Sequence, residues 1–200
     1  MEFNEVIKSR RSIRRFKSDP IPDSAINEIM DAARLAPSGL NLQSGRYIVV
    51  KDPSVRKEIS QTTPSHFIST APVIIVCCMD TKAFETTGAR IKELADIGAF
   101  VGTSFEKYNS EDFFANVDPF LLKANLMLNG TIAVENILLK ATDLGLGSCW
   151  IATFDQEKLK KIVGLEDRYE ILTILPIGYP DQNPGPRPRL PLNEIILKEI

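Results

Sequence analysis

The chain is poor in the residues that most often carry catalysis. It has one histidine, His66, in 200 residues. That excludes multi-histidine metal sites and leaves little room for a Ser-His-Asp arrangement. It has three cysteines, and two of them, Cys77 and Cys78, sit in an apolar run, so no disulfide framework is expected and the setting reads as reducing and cytoplasmic. The start, "MEFNEVIKSRRS", lacks the apolar core of a secretory leader. The longest apolar stretch, Val73 to Met79, is far too short to span a bilayer. Charge of one sign is also missing. Lys plus Arg number 24 and Asp plus Glu 26, a net charge of -2, which argues against general nucleic-acid or membrane-surface binding. If the protein is an enzyme, an organic cofactor is the natural carrier of its chemistry.

What is present reads as one α+β domain over residues 1–200. Helical spacing predicts a short helix over 2–9 and a longer one within 18–38, started near Asp23 and Ser24 and stopped by Pro37. "RYIVVKDP" reads as a strand and "SVRKEISQ" as a helix. "APVIIVCCMD" lacks alternation, which suits a central strand buried on both faces. Residues 119–144 read as one long helix, apolar on more than one face, and such a helix needs cover nearly all round, which points to a subunit interface. "DQEKLKKIVG" is a short helix stopped by Gly164, and "YEILTILPIGYP" a strand. The segment 181–200 reads as a Pro-rich arm ending in a strand or tail. Residues 82–118 are helical in "FETTGARIKELADIG" and then polar and aromatic.

Four stretches hold candidate site residues. "SRRSIRRF", residues 9–16, packs four arginines into eight positions. It could be a solvated charge run or a polyanion patch. In an extended segment, however, Arg10, Ser12 and Arg14 share a face, and two guanidiniums with a hydroxyl suit a phosphate and a polar ring edge. "APSGLNLQSGRY" could simply end a helix, yet Ser38, Asn41 and Gln43 can read a heterocycle's donor and acceptor edge, and Gly39 admits close backbone approach. "GLGSCWIATF" is no dinucleotide fingerprint, since Trp150 stands where the third glycine belongs and a helix precedes it. In "RPRLP", Arg187 and Arg189 alternate on a stiffened chain.

In order and spacing, "RRS-x-R-x-F", "PS-x-x-N-x-Q", "GLGSCWI" after a long helix, and "GYP" with a basic pair resemble the nitroreductase family of FMN-dependent oxidoreductases. The resemblance implies a nitroreductase-like fold: a central mixed, mainly antiparallel sheet flanked by helices, with the long helix at a homodimer interface. It implies that Arg10, Arg11, Ser12 and Arg14 hold the flavin, Arg10 toward the phosphate and Arg14 toward the N1/O2 edge, where it would stabilise the charge of the reduced ring. Pro37, Ser38, Gly39, Asn41 and Gln43 would come from the other subunit, backbone at Ala152 and Thr153 would face N5, and Arg187 and Arg189 would grip the phosphate. It further implies hydride transfer from NAD(P)H to N5 and ping-pong reduction of a nitroaromatic, quinone or similar small planar acceptor, with 82–118 as a variable lid and no metal. Family members with other FMN reactions (dehalogenation, ring desaturation, flavin cleavage) are one alternative. A non-enzymatic RNA or polyanion binder is the other. After "NLQ" the family often has Pro and an aromatic, whereas this chain has Ser44 and Gly45, a change expected to loosen the loop. Ala152, where several members carry a larger residue, is expected to widen the pocket. Cys77, Cys78 and Cys149 are expected to be inert, His66 to be a surface or packing residue, and Trp150 to belong to the core.

Overall fold

The computed structural model describes residues 1–103 and 117–200. Its centre is β2 (Val73–Asp80), every residue of which is buried. β1 (Gly45–Val50) pairs with one edge of β2 and β4 (Tyr169–Gly178) with the other, while the two-residue β3 (Gly147–Ser148) borders β4. The order β1-β2-β4-β3 is antiparallel throughout, and a parallel bridge joins Ser12 to Ser148 outside the named strands.

The unalternating run that makes β2 is explained by two cores, one on each face. Val73, Ile75 and Cys77 pack with Ile29 and Ala33 of α2 (Asp23–Arg34) and with Val134 and Ile137 of α5 (Pro119–Asp143). Ile74, Val76 and Cys78 pack with Ile59 of α3 (Pro53–Ser60) and Leu159 of α6 (Gln156–Val163). Successive strand side chains point to opposite faces, so a strand covered on both sides must be apolar at every position. Helix ends follow local chemistry. Asp52, Asp118 and Asp155 cap α3, α5 and α6 by accepting backbone amides, and Gly164 closes α6 in the left-handed region. α1 (Phe3–Ser9) and α4 (Thr87–Asp96) match the predicted helices within a few residues.

Three features refine the sequence reading. Of strand and arm, the two readings open for the C-terminal tail, the tail is an arm: residues are exposed from Gly185 onward and one helical turn, α7 (Leu192–Ile195), interrupts it. "GLGSCWI", given no element from the sequence, contributes β3. Short 3-10 turns at Gly39–Asn41, His66–Thr70 and Ala83–Thr86 carry no periodic apolar signal and were not anticipated. Of the aromatic lid proposed within 82–118, Phe105, Tyr108, Phe113 and Phe114 lie outside the described residues, whereas Phe84 packs against the cluster of Met79, Ala83 and Leu126.

Candidate active site

The basic segment is pinned at both ends by apolar anchors. Ile13 and Phe16 are buried, and the Ile13 amide donates to the Ser148 carbonyl at 2.9 Å. Lys17 N–H donates to Tyr179 O at 2.9 Å, and Asp181 N–H to Arg15 O at 2.9 Å. Residues 12–17 therefore run as an extended edge beside β3 and the end of β4. Gly147 makes this possible: a Cβ there would lie 2.6 Å from Ile13 Cγ1 and 2.8 Å from Ile13 Cβ.

This docking brings the two ends of the chain together. Arg10, Arg11 and Ser12 line one pocket with Pro184, Arg187 and Arg189. No acidic side chain among the described residues lines it. Among the described residues, Arg15, Arg34, Arg46, Arg90 and Arg168 form ion pairs with carboxylates, but Arg10, Arg11, Arg14, Arg187 and Arg189 do not. Arg11 spends one nitrogen on the Lys8 and Arg10 carbonyls, at 2.6 and 2.8 Å, and its Nε is buried without a partner. Arg189 donates to Pro188 O at 3.0 Å. Uncompensated guanidiniums and an orphaned buried donor fit a dianionic phosphate.

Cys149 follows Ser148, the residue bridged to Ser12. Burial pushes that thiol up; the charges of Arg14 and Arg10 and the Ser12 hydrogen bond pull the other way but do not prevail. Cys149 is thus a neutral thiol beneath the basic segment. Cys77 and Cys78 are buried and free, and burial pushes Cys77 well up and Cys78 up to about 12, in keeping with inert thiols. Ala152 and Thr153 are exposed just after Ile151, whose backbone bonds Ile174. His66 is exposed, its Nδ1 2.9 Å from the Ser60 carbonyl, and Trp150 packs against the α2/α5 core.

The second loop is more constrained than Ser44 and Gly45 suggested. Leu40, Asn41 and Gln43 all take positive φ, at 51°, 54° and 48°. Non-glycine residues there are strained, leucine most clearly. Three contacts hold the turn. Asn129 Oδ1 accepts the Gly39 amide at 2.9 Å, Ser38 Oγ accepts the Gln43 amide at 3.0 Å, and Leu42 is buried. Ser44, the supposed loosening residue, is itself only 1% exposed. Pro37, Ser38 and Gln43 line a separate cavity and not the arginine pocket. Within one chain, then, the structure groups Arg10, Arg11, Ser12, Arg187 and Arg189, and sets the 37–43 loop apart from them.

The sequence reading missed Asn129 and Pro184. Asn129 is followed by a glycine within the long helix, a signal that was available. Pro184 offered none beyond its place in a proline-rich run.

A family model described as "Nitroreductase family" matches residues 7–65 and 123–179. A Thermus thermophilus protein named "NADH dehydrogenase" is 32% identical over 191 residues, covering 94% of this chain and 91% of that one. The solved structure of a nitroreductase family protein from Streptococcus pneumoniae superposes with a TM-score of 0.83 at 28% identity, over 99% of this chain and 100% of the other. A structure from Exiguobacterium sibiricum, solved in complex with FMN, has the same fold at 22% identity, with a TM-score of 0.83 over 98% and 96% of the two chains.

Proposed function

Since this chain belongs to the nitroreductase family, we propose that it is an FMN-dependent oxidoreductase that draws on NAD(P)H and reduces a nitroaromatic, quinone or similar small planar acceptor. The observation that carries this reading is the arginine pocket built from both ends of the chain. FMN is also the group held by the Exiguobacterium structure of the same fold. When bound, FMN would supply the redox chemistry, two-electron transfer between NAD(P)H and the acceptor.

The chain's own residues do the rest. Arg10, Arg11, Arg187 and Arg189 bind the phosphate, with Ser12 as a neutral donor. Arg14 sets a fixed positive charge at the N1/O2 edge, where negative charge develops on reduction. Ala152 and Thr153 border the reacting edge, and a small residue at 152 leaves room above it. Pro37, Ser38, Gly39, Asn41 and Gln43 complete the site of a second copy. Exposed apolar residues support such a homodimer. Leu121, Leu128 and Ile132 lie uncovered on α5, as do Leu190, Leu192, Ile195, Ile196 and Leu197 on the arm. Uncovered apolar side chains gathered on one face of a helix favour an interface. Among the described residues no helix is long and apolar enough to cross a membrane, and three free buried cysteines suit a reducing cytoplasm.

The test is to purify the chain, identify the released chromophore, and mix the protein with NADH or NADPH and then with an acceptor panel. A yellow protein releasing FMN, bleached by a nicotinamide and showing parallel lines in double-reciprocal plots, supports the reading. A colourless protein that retards RNA overturns it.

A further inference from the structure

Two kinds of contact hold the 37–43 loop, and they do different work. Local bonds close the turn. Ser38 O accepts the Asn41 amide at 2.9 Å, Gly39 O the Leu42 amide at 3.1 Å, and Ser38 Oγ the Gln43 amide at 3.0 Å. None of these relates the turn to the rest of the molecule. Packing does so in part: Leu42 is buried and α4 lies against the turn. Apolar packing, however, lacks the direction of a hydrogen bond. The directed tie is Asn129 of α5, whose Oδ1 accepts the Gly39 amide at 2.9 Å across ninety residues of chain.

The sequence of α5 fixes that acceptor in place. At the next residue the helix is pressed onto the sheet. A Cβ on Gly130 would collide with Met79 Sδ of β2 and stand 2.7 Å from Leu172 Cδ2 of β4, so glycine permits the approach. On the uncovered side, Leu128 and Ile132 flank Asn129 in the sequence and belong to the face assigned above to the second copy. One stretch of helix thus forms the seam and holds the loop. The loop needs holding, because Leu40, Asn41 and Gln43 all sit at positive φ, a shape such residues do not keep unaided. Among the described residues, the hydrogen bonds of Asn41 run through its backbone, which leaves its side-chain amide for a ligand.

We propose that Asn129 is a positioning residue for flavin recognition. It touches no ligand itself. By accepting the Gly39 amide it holds the loop in the shape that presents Ser38 and Asn41 to the flavin ring in the second copy's site. The inference rests on the homodimeric flavin reading above. It puts ring contacts and phosphate contacts under separate control, since the loop and the arginine pocket share no residue. A defect at Asn129 is therefore a defect in ring affinity, felt equally by FMN and by riboflavin, which lacks the phosphate.

The experiment titrates the flavin-free dimer of the parent, of Asn129→Ala and of Asn129→Asp with FMN and with riboflavin. Alanine is a stronger helix former than asparagine and leaves Leu128 and Ile132 in place, so α5 and the dimer should persist, as light scattering and the melting temperature would show. Asn129→Ala should bind both flavins about three- to tenfold more weakly, by the same factor, as for one lost hydrogen bond. Aspartate keeps an oxygen acceptor for the Gly39 amide, and Arg34 and Arg46 line the adjoining cavity to accommodate its charge. Asn129→Asp should therefore restore both affinities. In the flavin-free proteins, deuterium exchange at the Gly39 amide should quicken in Asn129→Ala and recover in Asn129→Asp. Five outcomes would overturn the proposal and leave the flavin reading intact: parental affinities in Asn129→Ala, a changed preference for FMN over riboflavin, unchanged exchange at Gly39, no recovery in Asn129→Asp, or dissociation of Asn129→Ala into monomers. A parent that binds neither flavin would sink that reading and this proposal with it.

Discussion

The arginines of "SRRSIRRF" do different work although they look alike. Arg15 is structural: its Nε donates to the Asp181 carbonyl at 2.6 Å and lies 3.0 Å from the Asp181 carboxylate, which ties the base of the C-terminal arm to the N-terminal segment. Arg10 and Arg11 are left for a ligand. Arg10→Ala should therefore weaken FMN binding by about 10- to 150-fold, the equivalent of one charge-assisted hydrogen bond of about 1.5–3 kcal/mol, without lowering the melting temperature of the flavin-free protein. Titration of flavin fluorescence measures the first and calorimetry the second. Gly147 presents the opposite case, a residue with no ligand role on which the site depends. Gly147→Ala drives a methyl into Ile13 and should cost about 1–3 kcal/mol of stability, read by denaturant unfolding. Asp80, 3% exposed, shows how charge is used in the frame. Burial pushes its carboxyl up, but the Arg168 guanidinium, the Lys82 amide and the charges of Arg168 and Arg46 outweigh burial and hold it below 3.8. A carboxyl whose folded-state pKa is depressed contributes stability above its unfolded value, and that contribution disappears as pH falls through the lower folded value. Stability should thus fall below about pH 4 in the parent and fall less steeply in Asp80→Asn, which is itself less stable at neutral pH because Arg168 loses its bidentate partner.

At the scale of elements, the long helix carries the clearest consequence. α5 buries Leu126, Ala133, Val134, Ile137 and Ala141 against the sheet and leaves Leu121, Leu128 and Ile132 uncovered on its far side. In the homodimer proposed above, Leu128→Glu should give monomers, measured by light scattering after gel filtration, and lower flavin content with it, because the second copy's 37–43 loop would then be missing from each site. A Leu128→Glu protein that remains dimeric and yellow would contradict that assembly. The elements with strong periodicity were legible in the sequence because burial writes itself into spacing: α2 through Ile26, Ile29 and Ala33, and β2 through its unbroken apolar run. β3 was not, since two residues are too few for a period, and its glycine is chosen for contact with Ile13. The turns at 39–41 and 66–70 were hidden for a like reason. The first is held by a distant partner, Asn129, and a single chain position does not announce a partner ninety residues away. The tail could be read as a strand or as an arm; no described strand pairs with it, and propensity without a partner does not make a sheet, so the arm is what forms.

For the whole molecule, the account rests on topology that brings residues 10–12 beside residues 187–189. The bond from Lys17 to Tyr179 and the pair of Arg15 with Asp181 close that circle, and the resulting pocket gathers four guanidiniums without a carboxylate. A phosphate is the feature this pocket is argued to read, and it is the one feature that separates FMN from riboflavin. The most direct measurement compares the affinities of the flavin-free protein for the two, in the parent and in the Arg10→Ala/Arg187→Ala double variant. The account predicts that the parent binds FMN far more tightly than riboflavin, and that the double variant loses most of this preference while keeping its riboflavin affinity. Equal affinity for both flavins in the parent, or a preference that survives the double substitution, would contradict it.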